Sequence, residues 1–316
     1  MTPEVQIPAS FEAMDLSHEI LQAVEAMGFT EPSTVQAKTI PLMMEGLDIN
    51  AIAPTGTGKT CAFGIPMLEY VQLKDSRVQE VVLAPTRELA LQIGEELTQL
   101  ARFIPGVRIA VLYGGQPISR QISALKRRPQ IVIATPGRML DHMQRGNINL
   151  NAVHTMVLDE ADEMLNMGFV KDVTKIIEAA PADRQLVLFS ATTNQDVLTI
   201  AWKYQHDPVE ITVEATREDR PKITQYVISS EQNDKIDHLL YLLDADVYQR
   251  VMVFCNTKFM TDRLTSRLCK EGYDAQALHG DIPQSKRNVV MNDFKRGKFP
   301  ILVSTDVAAR GIDVDD

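Results

Sequence analysis

Short apolar runs rich in β-branched residues recur along the chain, each closing on small or polar residues and each followed by a stretch with helical spacing. In the first two thirds they fall at 49–53, 81–84, 109–113, 131–135, 156–159 and 186–190, and later at 226–229, 251–256, 275–278 and 301–305. Between them, Leu89, Ile93, Leu97 and Leu100 share one helix face, as do Val170, Val173, Ile176 and Ile177, and then Ile236, Leu239, Leu240 and Leu243. Near the start, Ile20, Leu21, Val24 and Met27 predict a helix with Ser17 as N-cap and Gly28 just past its end. Apolar strands alternating with amphipathic helices predict an α/β protein whose parallel sheets are covered by helices on both faces.

The rhythm breaks around 212–224, where VEATREDRPK is charged, contains Pro221 and has no apolar period. This stretch reads as a linker. The chain then divides into an N-terminal helical region at 1–38, a first domain at 39–210, a linker at 211–223 and a shorter second domain at 224–316, and a length of 316 residues suits two domains.

Composition narrows the class. With 45% apolar and 23% charged residues the chain is globular, and no apolar run is long enough to cross a bilayer. The start, MTPEVQIPAS, lacks the basic flank and apolar core of a signal peptide, so the sequence predicts a cytoplasmic protein without membrane partners. Cys61, Cys255 and Cys269 show no C-x-x-C spacing, which indicates neither a disulfide framework nor a zinc site. A net charge of -10 argues against broad adhesion to nucleic acid. It leaves open a local groove built from a few arginines, backbone N–H groups and helix ends.

The sharpest chemical signal is APTGTGKT at 53–60, directly after an apolar run. In such a loop, Pro54, Thr55, Gly56, Thr57 and Gly58 turn their backbone N–H groups toward phosphate, Lys59 reaches the outer phosphates and the Thr60 hydroxyl can ligate Mg²⁺. Ala53 stands where the strict G-x-x-x-x-G-K-T pattern has glycine, and a plain glycine turn before a helix is the alternative reading. The run 156–158 delivers Asp159 and Glu160 at its C-terminal end, the edge of an open α/β sheet where ligands bind. Alone, this acidic pair also reads as a solvated helix start. Loop and carboxylates together favour a nucleoside triphosphatase, with one carboxylate holding Mg²⁺ through water and the other preparing an attacking water.

Asp159-Glu160-Ala161-Asp162 spells DEAD, and over nearly its whole length the chain resembles the DEAD-box RNA helicases, bacterial members included. The resemblance implies two RecA-like P-loop domains. Gly28-Phe29, Pro32 and Gln36 resemble the family's Q motif, which implies that Gln36 reads the adenine edge, with Phe29 beside it, and that Phe11 stacks on the base. Read without the family, Phe11 is a core anchor and Gln36 a surface residue. Pro85, Thr86 and Arg87, then Gly114-Gly115, then Thr135, Gly137 and Arg138 resemble motifs that line the RNA path. Surface ion pairs or loop braces are the other reading of the two arginines. Ser190-Ala191-Thr192 resembles the motif that couples nucleotide state to RNA contact, and Asp162 would link the site to it.

In the second domain Thr257, Gly280 and Thr305 match RNA-contacting positions, Asp306 a ribose contact, and Arg310 and Asp313 residues that help close the cleft. The implied activity is RNA-stimulated ATP hydrolysis with Mg²⁺, local unwinding of short RNA duplexes and remodelling of RNA–protein complexes. In that scheme Lys59, Asp159, Glu160 and Asp162 carry the chemistry. The partner is RNA, single-stranded or short duplex, held mainly by its sugar-phosphate backbone, and ribosome-assembly or other RNP partners are compatible. An ATP-gated RNA clamp with little unwinding shares every motif, whereas a DNA translocase is disfavoured by the Q motif and the literal DEAD. No H-R-x-G-R-x-x-R run occurs in the 316 residues. The second domain is therefore expected to be incomplete and the polypeptide to bind ATP but hydrolyse it poorly, since an arginine finger contributes about 10³–10⁵ in turnover.

Overall fold

The computed structural model describes residues 8–192, 194–213, 223–231, 234–245 and 248–305. The chain separates into two compact units, Met1–Arg220 and Pro221–Asp316. In the first, β1 (Ile49–Ile52), β2 (Glu80–Leu83), β3 (Ile109–Leu112), β4 (Ile131–Ala134), β5 (Thr155–Leu158), β6 (Gln185–Ser190) and β7 (Val209–Thr212) form one sheet in the order β3-β4-β2-β5-β6-β1-β7. Every pairing in it is parallel.

The apolar runs follow from where each strand sits. β2, β4, β5 and β6 lie inside the sheet with both faces covered, and all their residues are buried. Neighbouring side chains feed opposite layers. Val82, Val157 and Phe189 pack with Phe63, Ile65, Ile93 and Leu97 of the helices Lys59–Tyr70 and Arg87–Leu100. Val81, Met156 and Leu186 pack with Met139, Val173 and Ile176 on the other face. The helix His18–Ala26 forms as expected, with Ser17 capping it through Ile20 N.

Two strand expectations need correction. β7 was not anticipated, because it is an edge strand on which only Ile211 is buried, so Glu210 and Thr212 break the apolar run. It pairs with β1, and Val213 N continues the ladder to Ile52 O at 2.8 Å, so the first unit extends into the stretch read as linker. Residues 226–229 are not a strand. A ladder requires a neighbour, and this segment pairs with no described strand; Tyr226 and Val227 are 85% and 95% exposed.

In the second unit β8 (Val251–Cys255), β9 (Ala275–Leu278) and β10 (Ile301–Thr305) form a parallel sheet in the order β8-β10-β9. Leu264 and Leu268 of the helix Lys258–Lys270 pack with Ile301 and Val303 on one face, while Val290, Phe294 and Phe299 pack with Leu278 and Leu302 on the other. Asp306, Arg310 and Asp313, and most of the expected linker, lie outside the described residues. Among the described residues no helix is long and apolar enough to cross a membrane.

At the amino edge of the first sheet, Glu80 opens β2 with no exposed surface; His154 Nδ1 lies 3.3 Å from its Oε1, and the Thr155 hydroxyl opposes the effect of burial only in part. Burial pushes its carboxyl well above the ordinary value of 4.5. The folded chain therefore keeps a proton that the unfolded chain releases, and stability declines as pH rises from the ordinary carboxylate range toward the raised folded value. Glu80→Gln is expected to melt higher than the parent at neutral pH and to flatten the fall in melting temperature between about pH 5 and pH 8. Parallel melting curves for the two proteins across that range would show that Glu80 is not buried as a neutral acid.

Candidate nucleotide and nucleic-acid site

After β1 the chain turns through 54–58 and enters the helix Lys59–Tyr70. Gly56 and Gly58 have φ of 77° and 83°, the left-handed region that side chains disfavour. A side chain at Gly58 would also displace the Gln36 amide, because its Cβ would stand 2.4 Å from Gln36 Nε2. The result is a loop whose N–H groups, with the positive end of a long helix, form an anion cradle. Lys59 and Thr60 are 7% and 9% exposed, and Lys59 Nζ folds back to donate to Ala53 O at 3.4 Å.

The segment before the sheet braces this loop. Ser33 and Gln36 form a capping box at the start of the helix Thr34–Met44. The Ser33 hydroxyl also donates to Thr57 O at 2.7 Å, and Gln36 Nε2 donates to Gly58 O at 3.1 Å. Gln36 is 2% exposed, which corrects its reading as a surface residue. Phe11 is 3% exposed and belongs to the core, so in this structure it is an anchor and presents no free face for stacking. Phe29, 37% exposed, is the open aromatic of the pair.

Asp159 and Glu160 follow β5. Asp159 is buried, its N–H donates to Leu83 O at 2.9 Å, and its Oδ1 accepts from Glu160 N at 3.0 Å. Glu160 takes a left-handed backbone, φ 50° and ψ 50°, at the start of the helix Ala161–Asn166. Burial pushes Asp159 up, with Lys59 opposing. Burial, reinforced by the Asp159 charge and opposed by Lys59, pushes Glu160 up to about 7. Both carboxyls thus sense Lys59, although they lie about 100 residues from it in sequence. Asp162 Oδ2 accepts from both Thr192 N at 3.0 Å and Thr192 Oγ1 at 2.7 Å, and Ser190 Oγ donates to Thr192 O. The link from the acidic motif to Ser190-Ala191-Thr192 is in place.

The loops after β2, β3 and β4 meet on the other half of the same edge. Thr86 follows the buried Pro85 and caps the helix Arg87–Leu100 through Leu89 N at 3.2 Å. The Arg87 guanidinium lies against Gly114, where a Cβ would stand 3.3 Å from Nη2, and Gly115 has φ 86°. Thr135 and Gly137 stand at the start of the helix Pro136–Gln144, and Arg138 Nη1 donates to Gln116 O at 3.2 Å. In this structure Arg138 bonds to the residue that follows the Gly-Gly turn and Arg87 packs beside Gly114, which fits the loop-brace alternative left open by the sequence.

In the second unit Thr257, Gly280 and Thr305 follow or end β8, β9 and β10, so they share the carboxyl edge of that sheet. Thr257 caps its helix through Met260 N at 3.2 Å. Lys258 stands beside Gly280 and pairs with Asp281 at 2.5 Å.

A phosphate loop beside an acidic pair, one member buried, at the carboxyl edge of a parallel sheet defines a P-loop nucleotide-binding protein. Within that class, the DEAD/DEAH box helicase family matches residues 33–200, and the helicase conserved C-terminal domain matches residues 234–316. The DEAD-box ATP-dependent RNA helicase CshA of Geobacillus kaustophilus is 47% identical over 305 residues, covering 96% of this chain and 65% of the relative. The ATP-dependent RNA helicase CshA of Listeria monocytogenes is 46% identical over 304 residues, covering 96% and 58%. The chain thus spans about three fifths of the length of these curated relatives.

Among solved structures, a DEAD box protein from Methanococcus jannaschii is 42% identical with a TM-score of 0.64, covering 98% of this chain and 83% of that one. Dbp5 of S. cerevisiae bound to RNA and ADP BeF3 is 31% identical with a TM-score of 0.85, covering 97% and 78%. The chain belongs to the DEAD/DEAH box helicase family, and its sheets are RecA-like.

Proposed function

We propose that the chain is the ATP- and RNA-binding core of an ATP-dependent RNA helicase, which couples ATP hydrolysis to gripping and locally separating short RNA duplexes. The observation that carries this reading is the division of one sheet edge. The order β3-β4-β2-β5-β6-β1 sets the arginine- and glycine-bearing loops on one half, the phosphate loop on the other, and the strand carrying Asp159 and Glu160 between them. Two neighbours in family and fold support it: a relative named as an ATP-dependent RNA helicase and Dbp5 bound to RNA and ADP BeF3.

In this reading the cradle and Lys59 seat the triphosphate, Gln36 and Phe29 meet the base, and Glu160 takes a proton from the attacking water. Thr60 and Asp159 fit a Mg²⁺ ion: Asp159 is a buried carboxylate with Lys59 as its main compensating charge. Bound there, Mg²⁺ would neutralise charge on the phosphate oxygens. Among the described residues no three His, Cys, Asp or Glu side chains converge on a metal site, which suits an ion held mostly by phosphate and water. Asp162 and Thr192 connect nucleotide state to the RNA-facing loops. In the second unit Thr257, Gly280 and Thr305 are read, from the family resemblance, as RNA-contacting positions. RNA–protein complexes are the natural context, and a cytoplasmic location suits them. With no H-R-x-G-R-x-x-R run, the 316 residues alone are expected to turn ATP over slowly.

ATP turnover with and without single-stranded RNA, alongside competition between RNA and DNA of one sequence, tests this. RNA is expected to stimulate turnover and to outcompete DNA through its 2′-hydroxyls. Equal binding of DNA, or binding of neither, would overturn the RNA assignment. Retention of RNA with no separation of a short duplex would make the protein a clamp.

A further inference from the structure

His142 and Gln121 are 0% and 1% exposed, lie outside every motif named above, and are hydrogen-bonded to each other. Gln121, on the helix Ile118–Leu125, donates from Nε2 to Tyr113 O at 2.8 Å. Its Oε1 therefore faces His142 Nε2, 3.1 Å away, and must accept from it. Burial, aided by Arg138 and Arg145 and opposed by Asp141, holds the ring pKa down. The ring is then neutral and protonated on Nε2, which leaves Nδ1 to accept from Asn147 Nδ2 at 3.2 Å. Each donor in the chain Asn147, His142, Gln121, Tyr113 carbonyl meets one acceptor.

This chain spans two elements that carry proposed RNA contacts. Tyr113 immediately precedes Gly114-Gly115, and His142 lies in the helix that starts after Thr135. A Gly-Gly turn approaches a sugar-phosphate strand closely because it has no side chains, and for the same reason it cannot anchor itself. Neighbours must hold it. Arg138 does so through its part-buried bond to Gln116 O, and Arg87 packs beside Gly114. The Gln121 contact to the Tyr113 carbonyl is buried, so no solvent replaces it.

We infer that His142, acting through Gln121, is a positioning residue for RNA binding: it sets the Gly114-Gly115 turn relative to the helix start at Thr135 and Gly137. The inference rests on the reading of those loops as the RNA face. A glutamine at 142 can place its amide nitrogen where the imidazole Nε2 stands and keep the bond to Gln121. An asparagine is too short for that and mimics only Nδ1.

The test is binding of a labelled single-stranded RNA and of a non-hydrolysable ATP analogue by the 316-residue chain and its His142→Asn, His142→Gln and Gln121→Leu variants, with melting temperatures alongside. His142→Asn and Gln121→Leu are expected to weaken RNA binding about tenfold while ATP-analogue affinity stays within about twofold, and His142→Gln to restore most of the RNA affinity. Unchanged RNA affinity in His142→Asn and Gln121→Leu would overturn the inference. So would parallel loss of RNA and nucleotide affinity, which marks a general loss of fold, or a glutamine variant no better than the asparagine. Parent protein that binds no RNA would instead overturn the RNA reading, and the inference with it.

Discussion

Lys59→Ala is expected to reduce ATP affinity by about one and a half to three and a half orders of magnitude, from about 2–5 kcal/mol of lost interaction with a desolvated anion. The side chain is buried and folded back on the Ala53 carbonyl, so its ammonium is already stripped of most water before phosphate arrives. It is also the cation that opposes the upward push on both Asp159 and Glu160. Removing it takes charge from the phosphate cradle and leaves two carboxyls facing an incoming polyanion. Equilibrium titration with a fluorescent ATP analogue measures the effect, and an unaltered affinity would remove the phosphate-loop assignment. RNA affinity without nucleotide should stay as in the parent, because the loops proposed to meet RNA follow β2, β3 and β4 and Lys59 follows β1.

Glu160→Gln should do the opposite: hold ATP and fail to turn it over. A positioned general base contributes about 10²–10⁴ in rate, and glutamine keeps the shape of the side chain without its basicity. With its carboxyl pushed up to about 7, Glu160 can exchange a proton near neutrality. Only the deprotonated form accepts a proton, so parent turnover at subsaturating ATP, which reports the ligand-free protein, should rise with pH through about 7. The residual rate of the variant should lack that rise. Single-turnover hydrolysis across this range decides it, since equal rates in parent and variant would exclude Glu160 from proton transfer.

Some of this architecture is legible from residue order and some is not. β2, β4, β5 and β6 announce themselves because burial on both faces demands unbroken apolar runs. β7 and residues 226–229 mislead in opposite directions. One has a polar outer face yet pairs with β1, the other has strand-like side chains yet pairs with no described strand, and pairing is a property of distant segments. The phosphate loop is readable because its glycines, lysine and threonine are each chemically required there.

Its bracing was harder to foresee. The S-x-x-Q spacing of Ser33 and Gln36 does signal a capping box, but their bonds to the Thr57 and Gly58 carbonyls end on backbone atoms that leave no trace in composition. The bond from Arg138 to the Gln116 carbonyl is hidden for the same reason. Phe11 shows the converse limit, since an aromatic residue fits a core and a base platform equally well until its exposure is known.

The bond from Gln36 to the Gly58 carbonyl joins two recognitions usually treated as separate. The carboxamide proposed to read the base also holds the loop that seats the phosphates. Discrimination among nucleoside triphosphates then becomes partly a matter of loop order. A base that draws the amide away from Gly58 slackens the phosphate seat, so a poor fit at one end of the nucleotide is reported at the other.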